Sequence, residues 1–322
     1  MREILVGVDG GGSKTACLAV DFAGPATGYA VGGPSNHHAV TAERAGQALC
    51  STILEALGQA GATPGEVRAL CAGLAGYDSP DDRAVAHAML APLALPVVPL
   101  VVNDARVALA GAFANQPGIV VIAGTGSIIL GQDAGGRTVR AGGWGPVLGD
   151  EGSGYDVGRR GAVAALRAHD GRGPSTRLTR LYRQHLQGDV ELLIPLVYRP
   201  LEPAGIARLA RLVGEAAAAQ DAVALGILDE AAGELALAVR AVAARLGLDH
   251  PPVAAVGGLF RELPGFSDLL ARKLGRPDLE CPRHAPVIGA IFMAAASCGY
   301  RVEHCQAEAW QRAVLAAGGH RL

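Results

Sequence analysis

An α/β fold built from two related lobes is what this sequence predicts, and three observations carry that reading. The first third of the chain alternates short apolar runs with helical periods, the pattern of strands crossed by helices. The pattern then restarts: a shift of 114 residues lays LVGVDGGGS (Leu5 to Ser13) over IVVIAGTGS (Ile119 to Ser127). Glycine makes up 45 of the 322 residues, about twice the average usage of roughly 7%, and it is clustered rather than spread.

Taken in order, Ile4 to Val8 reads as a strand, Asp9 to Lys14 as a glycine turn, and Thr15 to Val20 and Thr27 to Val31 as two further strands. Helices follow at about Val40 to Gln59 and Asp81 to Leu90, with strands near Val67 to Ala72 and Leu100 to Val102. Asn103-Asp104 then ends a strand and caps the helix that begins ARVALAGAF. From Gly118 a second strand, turn and return strand appear. Beyond Ser153 the Ala-rich runs predict helices at about Gly154 to His169, Ser175 to Leu186, Pro203 to Ala219 and Ala222 to Leu246. A strand Pro252 to Val256 leads into Gly257-Gly258. The nearly all-apolar Pro286 to Ser297 predicts a buried helix, and His304 to Ala316 an amphipathic one that packs back on the first lobe.

Composition narrows the function classes. Lys+Arg 28 against Asp+Glu 30 gives a net charge of -2, which disfavours nucleic acid as a partner. The longest stretch without charged, amide or His residues, Ala285 to Tyr300, contains Pro286, Gly289 and Gly299 and falls short of the ~20 apolar residues of a membrane span. Only Ile4 to Val8 precede Asp9, too few for a signal-peptide core of about 7 to 15 residues, so a cytoplasmic location is expected. The six cysteines form no C-x-x-C pair and read as small apolar residues rather than zinc ligands or a disulfide framework.

Several residues could carry chemistry. Gly10, Gly11, Gly12, Ser13, Lys14 and Thr15, and Gly124, Thr125, Gly126 and Ser127, form two glycine turns of the kind that can cradle phosphate on backbone N–H groups. Neither matches the Walker-type loop or the dinucleotide fingerprint. Each has a plainer reading as a tight hairpin in which glycine supplies positive φ. Asp9 ends its strand beside the first turn, where a carboxylate suits hydrated Mg²⁺, although an Asp there also caps turns. Asp104 sits at a strand end and a helix N-terminus, placed for a ligand site or for a plain N-cap. GGWGPVLGDEGSG (Gly142 to Gly154) is the densest stretch; a loop of this composition is costly to order and must be held by packing or ligand. Asn36 in Ser35-Asn36-His37-His38 suits hydroxyl binding; as a metal site the two adjacent histidines lack further ligands at suitable spacing.

Together, Val8 to Thr15, Gly33-Pro34-Ser35-Asn36-His37, Asn103-Asp104-Ala105, Gly124 to Ser127, Gly143-Trp144-Gly145 with Gly149 to Ser153, and Gly257-Gly258 resemble the N-acetylglucosamine kinase branch of the BadF/BadG/BcrA/BcrD-type ATPases. That group lies within the sugar kinase, Hsp70 and actin superfamily. The resemblance implies two actin-like lobes, residues 1–115 with the terminal helix at about 301–322, and residues 116–300, with ATP, Mg²⁺ and an amino sugar meeting in the cleft. It places ATP on the two glycine turns and on Gly257 and Gly258, and Mg²⁺ on Asp9. The sugar falls to Asn36, Asp104, Gly143, Trp144, Gly145 and Asp150, with Asp104 as general base. The implied reaction is phosphorylation of the 6-hydroxyl of N-acetylglucosamine, with glucosamine as the alternative acceptor. A homodimer is compatible with this reading. An ATP-hydrolysing activator or a sugar-sensing ATPase is the alternative from another class, but the bridging iron-sulfur cysteines of such activators have no convincing counterpart here, nor has the zinc-binding C-x-C-G-x-x-G-C run of the ROK group.

Overall fold

A computed structural model describes residues 2–77, 79–198 and 203–319. The chain divides into two compact units, Met1–Pro117 with Pro282–Leu322, and Gly118–Cys281.

In the first unit β1 (Ile4–Gly10), β2 (Thr15–Asp21) and β3 (Thr27–Gly32) form an antiparallel meander. Helix α1 (Ala42–Gln59) leads to β4 (Val67–Leu74), α2 (Pro80–Leu90) to β5 (Leu100–Asn103), and α3 (Asp104–Phe113) follows. Strand order is β3-β2-β1-β4-β5, with β4 parallel to β1 and to β5. Local chemistry sets the helix starts: Thr41 Oγ1 accepts from Arg44 N, and Ser79 and Asp82 form a reciprocal capping box at α2. Ser79, which donates to Asp82 from its hydroxyl and its backbone, and the nearby His38 hold the Asp82 carboxyl down at about 2.

The second unit repeats the plan. Strands β6 (Gly118–Ala123), β7 (Ser127–Gln132) and β8 (Thr138–Gly142) form a meander, and β9 (Val253–Val256) lies parallel to β6, giving the order β8-β7-β6-β9. A parallel bridge between Ala254 and Glu280 stands where β5 stands in the first sheet. Between β8 and β9 come α4 (Gly145–Leu148), α5 (Gly154–His169), α6 (Arg177–Leu186), α7 (Leu193–Tyr198), α8 (Pro203–Arg208), α9 (Ala210–Ala218) and α10 (Ala222–Leu246). After β9 come α11 (Gly258–Glu262) and α12 (Phe266–Lys273). Helix α10 lies along the sheet, and its Ala231, Leu235 and Val242 share one core with Ile119, Val121 and Ile129. The single helix expected over Pro203 to Ala219 is two: the chain turns at Leu209, whose N–H bonds to the Ile206 carbonyl at 2.9 Å.

The chain then returns to the first unit as α13 (Pro286–Ser297) and α14 (His304–Ala316). This corrects the expectation that residues up to 300 belong with the second lobe. Helix α13 packs against β1, β4 and α3, and three glycines explain how it fits. A Cβ at Gly7 would lie 2.5 Å from the Val287 carbonyl oxygen, one at Gly111 2.8 Å from that of Ala285, and one at Gly289 would overlap that of Val107. Backbone meets backbone on both sides. Trp310 and Val314 of α14 complete the same core with Leu18 and Tyr29.

Because those neighbours are backbone atoms, Gly289→Ala is expected to destabilise the protein by about 3 kcal/mol, at the severe end for overpacking. Gly58→Ala on α1, where an added Cβ meets nothing within 4 Å, should instead be neutral or stabilise by up to about 1 kcal/mol. Urea unfolding midpoints of the two variants check both; equal midpoints would contradict the packing described.

Candidate active site

The two faces of β1 have different coverings. Ile4, Val6 and Val8 share a core with Leu49, Ile53 and Met89, whereas Leu5 packs with Val107 and Ile288, and the Gly7 backbone meets α13. Alternation therefore puts Asp9, the next residue on the Leu5 and Gly7 side, on the face covered by α3 and α13. Asp104 is the first residue of α3. The two carboxylates are thus brought together at the C-terminal end of the parallel strands, where α/β sheets form ligand sites. The cost is visible in Asp9: burial, then the charge of Asp104, raise its carboxyl from 3.8 to about 7, with Lys14 opposing.

The cap of α3 is Asn103, whose side chain accepts from Ala105 N at 2.9 Å. Asp104 Oδ1 lies 2.9 Å from the same N–H. A plain N-cap is therefore not the role of Asp104.

The first glycine turn is closed by a bond from Gly11 N to the Lys14 carbonyl at 2.9 Å, and Gly12, Ser13 and Lys14 are exposed. Thr15 points inward; its hydroxyl donates to the Gly33 carbonyl at 2.7 Å. Ser35 N donates to the Gly11 carbonyl, so the loop carrying Asn36 is tied to the turn. Asn36 Oδ1 in turn accepts from His38 N at 2.9 Å. The second turn is closed by Gly124 N on the Gly126 carbonyl, and the carbonyls of Gly124 and Thr125 accept from Gly154 and Tyr155 at the start of α5. Thr125 is exposed, whereas Ser127 is buried and donates its hydroxyl to the Glu151 carbonyl at 2.8 Å.

None of Gly10, Gly11, Gly12, Gly124 and Gly126 has a positive φ, so hairpin geometry does not account for them. Gly10 leaves room for Ser35 and Leu74, and Gly126 for Asp150. At Gly124 an added Cβ would meet nothing within 4 Å, and at Gly12 only Ala39 at 3.9 Å. Bare backbone there, with neither turn geometry nor packing requiring it, is what close approach of a ligand needs.

Packing orders the glycine-dense stretch. Asp150, at φ +58, accepts from the backbone N–H of Ser127 and Gly145; burial raises its carboxyl and these two donors oppose the rise. Gly152, at φ +73, abuts the Ala231 carbonyl and Leu235. Gly143 and Gly145 adopt φ of +72 and +82 on either side of Trp144, which is 63% exposed with the Arg140 guanidinium 4.6 Å from its ring centroid. Gly257, at φ +118, ends β9 with no room for a Cβ beside the Ala123 carbonyl, so Gly257 and Gly258 lie next to the second turn.

The first unit thus gathers Asp9, the Ser13 turn, Asn36 and Asp104, and the second gathers the Thr125 turn, Asp150, Gly257 and Gly258. Asp82, to which both His37 and His38 bond, was not legible in the sequence because it lies 45 and 44 positions away from them. Its only local signal is the capping sequence Ser79-Pro80-Asp81-Asp82.

The profile of the BadF/BadG/BcrA/BcrD ATPase family matches residues 6–294. The chain belongs to that family. It is 36% identical over 312 residues to the N-acetylmuramic acid/N-acetylglucosamine kinase of Clostridium acetobutylicum, covering 92% of this chain and 99% of the relative. It is 34% identical to the N-acetyl-D-glucosamine kinase of Dictyostelium discoideum, covering 91% and 98%. A crystal structure from Chromobacterium violaceum, whose name proposes an N-acetylglucosamine kinase, superposes with a TM-score of 0.77 at 32% identity, covering 91% of this chain and 99% of that one. Family membership implies use of ATP. Among the described residues, no helix is long and apolar enough to cross a membrane.

Proposed function

We propose that this protein transfers the γ-phosphate of ATP to the 6-hydroxyl of an amino sugar, N-acetylglucosamine first among them. The observation that carries the reading is the pairing of Asp9 with Asp104 at the strand ends beside an exposed glycine turn. The relatives named above act on this class of sugar, and a 31% identical partial match to the glucosamine kinase of Vibrio cholerae makes glucosamine the alternative acceptor.

Phosphoryl transfer asks a protein mainly to place the reacting groups and to stabilise charge. Two glycine turns offer backbone N–H groups to the phosphates; Gly257 is required by packing on Ala123, and Gly258 beside it is the open position for the adenosine. The Asp9 carboxyl, driven up by burial and by its acidic neighbour, is a group whose ionisation a divalent cation would favour, so the residues present fit Mg²⁺. When bound there, Mg²⁺ would offset phosphate charge. Asp104 accepts the proton of the sugar hydroxyl. Asn36 and Asp150 bind other hydroxyls, and exposed Trp144 offers a flat apolar face to the sugar ring.

A panel of sugars tests the acceptor. N-acetylglucosamine or glucosamine is expected to exceed glucose in kcat/KM by about 10-fold or more, since a site built for the 2-substituent leaves a polar group unpaired with glucose, at about 1 to 3 kcal/mol. Equal kcat/KM for all three would remove the amino-sugar assignment, and ATP turnover without sugar stimulation would remove the kinase.

A further inference from the structure

His37, His38 and Asp82 converge in a way that the sugar chemistry does not use. Nε2 of both imidazoles lies 3.1 Å from the same atom, Asp82 Oδ1, and the two rings sit 3.9 Å apart between centroids. The other carboxylate oxygen, Oδ2, is taken by Ser79 N at 2.9 Å and Ser79 Oγ at 2.6 Å, which fixes the direction in which Oδ1 points. The side chains of His37 and Asp82 are only 12% and 14% exposed, while that of His38 is 59% exposed, so the cluster has a supported inner side and an open outer one.

We propose that His37 Nε2, His38 Nε2 and Asp82 Oδ1 form a binding site for one zinc-class divalent transition-metal ion, with its remaining coordination position open to solvent. Ligand atoms about 2.0 to 2.1 Å from one zinc ion stand roughly 3 to 3.4 Å from each other at angles near tetrahedral. Both nitrogen-to-oxygen separations fall in that range, and all three ligand atoms lie within 4.8 Å of one another. Two imidazoles with one carboxylate suit zinc, cobalt or nickel, rather than the all-oxygen shell that Mg²⁺ prefers. Ligation through Nε2 requires the ring proton on Nδ1, and His37 Nδ1 is buried without a hydrogen-bond partner, so no donor facing it opposes that tautomer.

The ion would fasten the loop after β3 to the first turn of α2, across 44 to 45 positions of sequence. Asn36, whose side chain already holds His38 N, adjoins that fastening. Occupancy would therefore order the loop that carries it.

Co²⁺ titration of the full-length protein, with no nucleotide or sugar present, tests the site independently of the kinase reading. Wild type is expected to take up one Co²⁺ per chain with the visible absorption of a low-symmetry nitrogen and oxygen site, and Zn²⁺ to displace it and raise Tm. His38→Ala removes an exposed side chain and should stay folded by circular dichroism while its affinity falls at least about 10-fold; Asp82→Asn should do the same. Absence of Co²⁺ uptake by wild type would overturn the proposal. So would unchanged affinity in folded His38→Ala, which would point to exposed Cys281 or Cys305 instead.

Discussion

Asp104→Asn is expected to lower kcat for the sugar by about 10² to 10⁴, the range for loss of a general base, while Tm does not fall and rises slightly above neutral pH as Asp9 loses its acidic neighbour. Separation of the two effects follows from the start of α3. The helix is capped by Asn103, not by Asp104, and the bond from Ala105 N to the Asp104 side-chain oxygen can be kept by an asparagine. Shape and hydrogen bonding are thus preserved, and what is lost is proton acceptance together with the negative charge that Asp9 faces. KM for the sugar should move less than kcat, because an amide oxygen still accepts a hydrogen bond from the hydroxyl but takes no proton late in the transfer. Steady-state kinetics and thermal melts on the same preparation decide it. A variant that turns over at the wild-type rate would leave Asp104 without a catalytic role and move attention to Asp150, which is also buried beside a glycine turn.

How much of this was legible in the sequence depends on the range of the interaction. The strands β1, β2, β6 and β7 announce themselves because each is a nearly unbroken apolar run next to a glycine turn, and the shift of 114 residues correctly aligns β1 with β6 as the strand between a meander and a parallel neighbour. The cap at Asn103 is likewise local, a side chain bonding an N–H two residues on, whereas the equally local cap at Ser153 was not singled out. Strand β8 was not foreseen, since Thr138, Arg140 and Gly142 alternate with the buried Val139 over only five residues. The place of α13 was not legible either: a helix buried nearly all round has no stripe to show which core it joins, and only the close approaches at Gly7, Gly111 and Gly289 settle that. The glycines of the two turns were legible as candidates for close ligand approach, but positive φ was available as a rival explanation until their dihedral angles excluded it. The pairing of Asp9 with Asp104 combines two facts of different range, the alternation along β1 and the sheet order β1-β4-β5, and the second has no local signature.

That pairing leads to the largest expected departure from ordinary mutational behaviour: Asp9→Asn should abolish most activity and yet stabilise the ligand-free protein above neutral pH. The native Asp9 carboxyl titrates at about 7 and the unfolded one at the ordinary 3.8, so between these values the unfolded chain has released a proton that the native protein still holds. Stability from this group is therefore complete below 3.8 and is lost as pH rises towards 7; above that, wild type carries the full penalty of a half-buried carboxylate facing Asp104. The penalty is a few kcal/mol at most, reduced by whatever water reaches the group. Asparagine does not ionise and carries none of it. The Tm difference between variant and wild type should accordingly be near zero at pH 4 and widen to a rise of at least about 2 °C by pH 8, since roughly 1 kcal/mol moves Tm by about 2 to 4 °C for chains of 150–250 residues. Catalysis should go the other way, with kcat down at least about 100-fold, because the carboxylate that fits Mg²⁺ has lost its charge. Melts of both proteins across pH 4 to 8, with and without MgATP, test the two halves together. Added MgATP should raise the wild-type Tm and close the gap at pH 8, because binding to the native state offsets the repulsion that Asp9 suffers there. Parallel melting curves across that pH range would show that Asp9 is not strained by burial and by Asp104, and a variant with wild-type turnover would show that its charge serves no catalytic purpose.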